Sequence, residues 1–199
     1  MGRRDAVSYI WGMSDQSFAL FETAIGNAGI VWTARGIAGV QLPEANEHAA
    51  RARMAKRHPQ ARETRPPVKV QHTIDRIIAL LRGEAAEFTD VVIDDDGVPE
   101  FDRKVHAIAR TIPAGQTMTY GEIAARLGDK TLARDVGQAL GHNRTPLLVP
   151  CHRVLAADGK PGGFSGTGGV VIKLQLLSIE NAQPGGPTLF DRLPLALRR

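Results

Sequence analysis

The residues best placed to do chemistry are Pro150-Cys151-His152-Arg153-Val154, around the chain's single cysteine. One cysteine forms no internal disulfide and builds no cysteine-based zinc site. It is either a small buried hydrophobe or a reactive thiol. An imidazole and a guanidinium follow it directly. Positive neighbours lower a thiol's pKa, and the thiolate is the nucleophile. Adjacency does not by itself put a ring nitrogen on the sulfur. The preceding Leu147-Leu148-Val149 equally fits a cysteine at the end of a buried strand, with His152 facing elsewhere. The other histidines (His48, His58, His72, His106, His142) lack metal-ligand spacing, so no metal and no cofactor is expected. Asp94-Asp95-Asp96 lacks the oxygen spacing and closing Glu of a calcium loop and reads as a solvated linker turn. The glycine-rich run 162–169 lacks the Lys-Ser/Thr of a nucleotide-binding loop.

The elements around the cysteine read as helical. Val105, Ile108, Ala109 and Ile112 share one face of a helix over 101–111, which Pro113-Ala114-Gly115 breaks. Thr119 and Glu122 have capping-box spacing at the start of a helix over 119–127, stopped by Gly128. Thr131 is the expected cap of a second helix running to about Leu140, with Gly141 as its stop. Two short helices joined by Gly128-Asp129-Lys130 make a helix-turn-helix, a shape that also serves as a plain structural hairpin. Charge is uneven. Residues 1–99 hold 12 Lys/Arg against 13 Asp/Glu, whereas residues 100–199 hold 13 against 8. The basic second half suits a polyanionic partner, and it suits a solvated basic surface as well.

The first half reads as α/β. Three short apolar runs within 18–42, parted by Gly26-Asn27 and Arg35-Gly36, predict an antiparallel meander ended by Pro43. Helices are expected over 44–57, from its Ala, Arg and Glu content, and over 70–82, from the stripe Ile74, Ile77, Ile78, Leu81. The stretch 58–67 between them reads as a loop. The length of 199 residues suffices for one or two domains with a real core. No apolar run approaches the roughly 20 residues that span a bilayer. The start, Met1 to Asp5, has no apolar stretch after its charges. A soluble protein is expected, with no membrane partner, in the cytoplasm: bacterial cytosol, or the nucleus of a eukaryote.

Pro-Cys-His-Arg-Val resembles the active-site motif of the O6-alkylguanine-DNA alkyltransferases, the methylated-DNA–protein-cysteine methyltransferase family. The similarity continues through Thr119-Tyr120-Gly121-Glu122-Ile123-Ala124, Ala133-Arg134-Asp135-Val136-Gly137, Gly141-His142-Asn143, Pro146, Gly163-Phe164-Ser165-Gly166 and 173–180, each at the family's distance from the cysteine. It is specific over 101–181; the first hundred residues match the family's variable N-terminal domain only in layout. The resemblance implies a variable α/β domain over 1–97, a mainly α alkyltransferase domain with the helix-turn-helix over 98–182, and a tail over 183–199. It implies DNA repair by single, irreversible transfer of the alkyl group from O6-alkylguanine, and O4-alkylthymine, in double-stranded DNA, by a monomer.

The roles implied by the resemblance attach to single residues. Cys151 is the alkyl acceptor. His152, through a water, is the base that takes the thiol proton, and Glu180 orients it. Asn143 bonds the backbone around the cysteine. Tyr120 donates to the flipped base near N3 and protonates the leaving guanine. Ser165, beside Gly166 in the glycine-rich loop, bonds O6, while the carbonyls of Cys151 and Val154 accept from the exocyclic amine. Arg134 fills the gap left by the flipped nucleotide. Phe164 stands where many members have Tyr, and 165–169 is longer than the usual Ser-Gly-Gly. Two readings of other classes compete: a non-catalytic lesion binder, a kind that has lost the cysteine, and a thiol hydrolase using Cys151 and His152.

Overall fold

Two glycines make the first two turns possible. Gly26 and Gly36 have φ of 127° and 151°, and a Cβ on either would meet the oxygen of Glu44 or Val92 at 2.3 and 2.6 Å. Between and around them run β1 (Ser17–Thr23), β2 (Gly26–Thr33) and β3 (Gly36–Glu44), an antiparallel meander. The structure, a computed structural model, describes residues 16–164 and 168–182. The readings on Met1 to Asp5, on Ser165 and Gly166 and on the tail 183–199 therefore lie outside the described residues.

Pro43 does not end the meander, because β3 carries it to Glu44. The first helix, α1 (Glu47–Arg57), consequently starts three residues later than expected, where the Asn46 side chain accepts from the Ala49 amide. The stretch 58–67 is not all loop. It contributes a short strand, β4 (Arg62–Glu63), parallel to β1 and completing the order β3-β2-β1-β4. The predicted apolar stripe lies on α2 (Val68–Leu81), which buries Ile74, Ile77, Leu80 and Leu81 against the sheet residues Ile30, Trp32 and Val40. Leu147, Leu148, Ile172 and Leu176 from the second half complete this same cluster.

Asp94 is no solvated linker acid. It is 8% exposed, accepts from Thr33 Oγ1 and Arg35 Nε, and so ties the β2–β3 turn to the crossing chain. Beyond it come α3 (Glu100–Ala109), β5 (Met118–Thr119), α4 (Tyr120–Arg126), α5 (Ala133–Gly141), β6 (Val154–Leu155), parallel to β5, and α6 (Gly169–Ile179). The capping box forms as read: Thr119 Oγ1 accepts from the Glu122 amide and Glu122 Oε2 from the Thr119 amide. The second helix departs from the reading. Asp129, not Thr131, takes the capping part, accepting from the Thr131 amide at 2.8 Å and its hydroxyl at 2.6 Å. One 3-10 turn (Lys130–Leu132) follows, and α5 begins only at Ala133. An ionised carboxylate outcompetes a hydroxyl for free amides at a helix start. The chain is thus a small sheet with helices, antiparallel but for the short β4, followed by a mainly α half containing the helix-turn-helix.

Candidate active site

Leu147-Leu148-Val149 is a buried turn rather than a strand. Leu147 sits at φ 74°, the Val149 amide donates to Thr145 O, and the Cys151 amide to Val149 O. The turn delivers the sulfur into a 3-10 helix, Cys151–Arg153, wedged against α3, α4 and α5 through Val105, Ile123 and Val136. Asn143, just past α5, locks it. Its Oδ1 accepts from the Thr145 amide; its Nδ2 donates to Val149 O at 2.9 Å and to Cys151 Sγ at 3.2 Å.

Burial decides the thiol's state. Cys151 is 8% exposed, and desolvation pushes its pKa up, against the smaller opposing effects of the Asn143 hydrogen bond and Lys173. This reverses the expectation that the two positive neighbours lower it. Arg153 is engaged elsewhere, donating from Nε and Nη2 to Glu180 and from Nη1 to Ile112 O. His152 is held neutral, because burial lowers its pKa more than Glu180 raises it. The resting nucleophile is a thiol and needs a base.

His152 supplies a basic nitrogen. Its Nε2 lies 3.1 Å from Glu180 Oε1, and both side chains are 1% exposed. Burial alone would raise the pKa of Glu180, yet its bonds to His152 and Arg153 win and bring it down to about 2. An ionised carboxylate only accepts, so Nε2 carries the ring proton and Nδ1 the lone pair. Nδ1 is buried with no hydrogen-bond partner among the described residues.

Acid stability follows from these two shifts. Glu180's depressed pKa contributes stability above the ordinary value of 4.5 that is lost as pH falls toward about 2. His152's lowered pKa subtracts further stability as pH falls below 6.5. Urea unfolding midpoints should therefore decline steadily from pH 6.5 to pH 3, by a free energy on the order of a few kcal/mol. A midpoint flat over that range would contradict the buried pair.

An open cleft of about 510 Å³ leads to the sulfur, lined by Tyr120, Arg134, Gly137, Gln138, Cys151, Gly163 and Phe164 among others. Tyr120 is the first residue of α4, and burial raises its pKa, so it stands as a neutral phenol able to donate. Arg134 is exposed in the first turn of α5, and no ion pair with Asp129 forms. Cys151, Tyr120 and Arg134 thus line one cleft, Asn143 bonds the sulfur, and His152 and Glu180 form a buried pair that does not line the cleft. The Val154 carbonyl accepts from Lys173 Nζ at 2.6 Å, and the Cys151 carbonyl from the Val154 amide; each oxygen keeps a second lone pair.

Lys173 is the residue that sequence reading missed. It is fully buried, its Nζ 5.8 Å from the Tyr120 ring centre and 6.0 Å from that of Phe164, and burial lowers its pKa to about 8. The available signal was a lone lysine on the apolar face of Val170 to Leu177, in register with Leu176 and Leu177. Among the described residues no group of three His, Cys, Asp or Glu side chains is gathered to hold a metal ion. No helix there is long and apolar enough to cross a membrane.

A family model described as the DNA-binding domain of 6-O-methylguanine DNA methyltransferase matches residues 100–182. A methylated-DNA–protein-cysteine methyltransferase of Methanothermobacter thermautotrophicus is 34% identical over 158 residues, spanning 79% of this chain and 81% of that one. The protein of the same name from Mycobacterium tuberculosis is 42% identical over 129 residues, 64% of this chain and 76% of its own. The crystal structure of Mycobacterium tuberculosis OGT in complex with DNA superposes with a TM-score of 0.67 at 32% identity, covering 83% of this chain and 92% of that one.

Proposed function

The chain belongs to the methylated-DNA–protein-cysteine methyltransferase family, and from that premise we propose which of its residues carry the reaction. It binds DNA and repairs it by moving an alkyl group onto a cysteine, once per molecule. Cys151 is the acceptor, and O6-alkylguanine in duplex DNA is the substrate. The observation that carries this assignment is the sole thiol at the floor of the cleft, bonded by Asn143, beside an imidazole whose basic nitrogen is set by Glu180.

The proposed steps are these. The target carbon lies inside stacked DNA, so the nucleotide must rotate out, at a cost of a few kcal/mol. His152 Nδ1 takes the thiol proton through a water. Sγ attacks the alkyl carbon, the C–O6 bond breaks, and its electron pair leaves on guanine. Tyr120 donates a proton to that guanine, since an unprotonated anion leaves poorly. Lys173, a cation desolvated behind Tyr120, stabilises the phenolate so formed. The product thioether has no good leaving group, so each molecule acts once and is consumed; we propose that it acts as a monomer.

Incubation with a duplex carrying O6-methylguanine, followed by intact mass and peptide mapping, should place one methyl group on Cys151. Binding without an adduct would sink this reading in favour of a lesion binder, and repeated turnover of an ester or peptide in favour of a hydrolase.

Arg134 fills the vacated stack. It stands exposed on the helix-turn-helix, at the mouth of the cleft. Arg134→Ala should slow repair of duplex DNA roughly 10- to 100-fold, the loss expected for one stacking contact. The free base O6-benzylguanine needs no flipping, so its reaction should change far less. Equal losses on both substrates would take Arg134 out of the flipping role.

A further inference from the structure

A second, smaller cavity adjoins the cleft and draws part of its lining from the N-terminal half. It holds about 140 Å³ and is lined by Arg53, Arg57, His142, Asn143, Pro146 and Cys151 among others. It shares Cys151 with the cleft that contains Tyr120 and Arg134. Displacement at carbon is in line, so the reacting carbon lies between Sγ and O6. With the base in the larger cleft, whatever else that carbon bears projects sideways from the line of attack. The smaller cavity offers room for it: a water takes roughly 30 Å³ of the liquid.

The charges on this cavity are of one sign in excess. Arg53 and Arg57 are four residues apart on α1, stacked on the same face, where like charges repel. Arg53 Nε faces Glu44 Oε1 at 3.4 Å, yet both atoms are buried without a hydrogen bond. Arg57 has neither an ion pair nor a hydrogen bond among the described residues. Although its side chain is exposed, desolvation and the charge of Arg53 lower its pKa, as befits a cation lining a concave wall. His142, also on the lining, is held through Nδ1 by Asp102 at 3.0 Å; the carboxylate only accepts, so the other ring nitrogen carries the lone pair and the arginines are the donors here. Two guanidiniums thus stand against one carboxylate, Glu44, that is poorly aligned with Arg53.

We propose that this cavity is a subsite for O6-alkyl groups that end in an anion, O6-carboxymethylguanine being the smallest, with Arg57 as the specificity-determining residue and Arg53 beside it. The inference rests on the alkyl-transfer reading above and extends it to the substrate's alkyl group. A guanidinium pairs with a carboxylate through charge-assisted hydrogen bonds, and the repulsion between Arg53 and Arg57 is relieved when an anion lies between them. A methyl group leaves the subsite unused. The transfer itself is unchanged: Sγ bonds the methylene carbon, the C–O6 bond breaks, and Cys151 ends as an S-carboxymethyl thioether.

The test compares second-order rate constants on two duplexes identical except for the lesion, O6-methylguanine or O6-carboxymethylguanine, at one ionic strength. Wild type should transfer both groups, with peptide mapping placing each on Cys151. In Arg57→Gln the ratio of the carboxymethyl to the methyl rate constant should fall about tenfold, the effect of losing one hydrogen bond to a charged group. Arg57→Lys should recover part of that ratio by restoring the charge. The methyl rate in the same preparation reports that the variant is folded. An unchanged ratio overturns the proposal. So does an equal loss on both duplexes, which would assign Arg57 to DNA phosphates. Wild type that transfers methyl but not carboxymethyl overturns it too and leaves the alkyltransferase reading standing; failure on both lesions would instead remove that reading.

Discussion

Cys151→Ser is expected to abolish alkyl transfer and leave DNA binding in place. A serine hydroxyl is a far weaker nucleophile than a thiol at neutral pH, and displacement at an alkyl carbon needs a polarisable, deprotonated attacker. The structure sharpens this expectation. The thiol is already pushed toward its protonated form by burial, so transfer depends on the neutral His152 to take its proton. A hydroxyl, several pKa units more basic in its ionised form, lies out of that base's reach. Folding should survive: Asn143 Nδ2 can donate to oxygen as it does to sulfur, and the change removes little buried volume. Binding should survive because most contacts of a DNA-binding protein go to phosphate and sugar. Mass analysis should find no alkyl adduct on the Cys151→Ser protein after incubation times that fully modify the wild type. Gel-shift titrations should give affinities within a few-fold of each other, both weakening as salt rises. Demethylation by the Ser variant at a comparable rate would refute Cys151 as the acceptor.

Glu180→Ala should be the most destructive single change away from the sulfur. Glu180 accepts from His152 and twice from Arg153, and all three side chains are nearly fully buried. Removing the carboxylate leaves the Arg153 guanidinium inside the protein with only the Ile112 carbonyl for company. Breaking a buried pair in this way costs about 3–5 kcal/mol, a large share of the roughly 5–15 kcal/mol that holds a domain together. Glu180→Gln separates stability from chemistry. It keeps the shape and one acceptor but loses the charge that fixes the imidazole tautomer. Its transfer rate should fall about 10²-fold or more, the usual worth of general-base assistance, and its stability by less than that of the Ala variant. The pH dependence gives the decisive readout. In wild type, transfer should slow as acid protonates His152, at a pH below 6.5 because its pKa is lowered. Without the carboxylate the imidazole is harder still to protonate, so the fall should move to lower pH while the plateau drops. A Gln variant with wild-type rate, midpoint and pH profile would show that the pair serves no catalytic purpose.

Much of the fold is legible in local pattern, and the reason is that its signals are short-range. The capping box at Thr119 and Glu122, the turns at Gly26 and Gly36, and the α2 stripe are patterns that neighbouring residues satisfy among themselves. Differences arose where another group competed. Thr131 gave way to Asp129 because a carboxylate is the stronger acceptor. The loop at 58–67 became part strand because β1 had an edge to pair with. Asp94 looked solvated until Thr33 and Arg35, about sixty residues earlier in the chain, came to it.

The same division runs through the site. The motif around Cys151, together with the spacing of Asn143, Tyr120, Arg134 and Glu180 from it, determined by itself which residues to assemble and which chemistry to expect. Only the tertiary structure decided the protonation states. Whether an imidazole and a guanidinium activate a thiol depends on who else claims them, and Glu180, 28 residues beyond His152, claims both. Burial, which no stretch of sequence contains, raises the thiol's pKa and lowers those of His152 and Lys173. It likewise took the packing of α1 against the sheet to bring Arg53 and Arg57 to a cavity also lined by Cys151, nearly a hundred positions away. Hydrogen-bonding partners one turn apart are written into the chain; electric fields and desolvation belong to the folded volume.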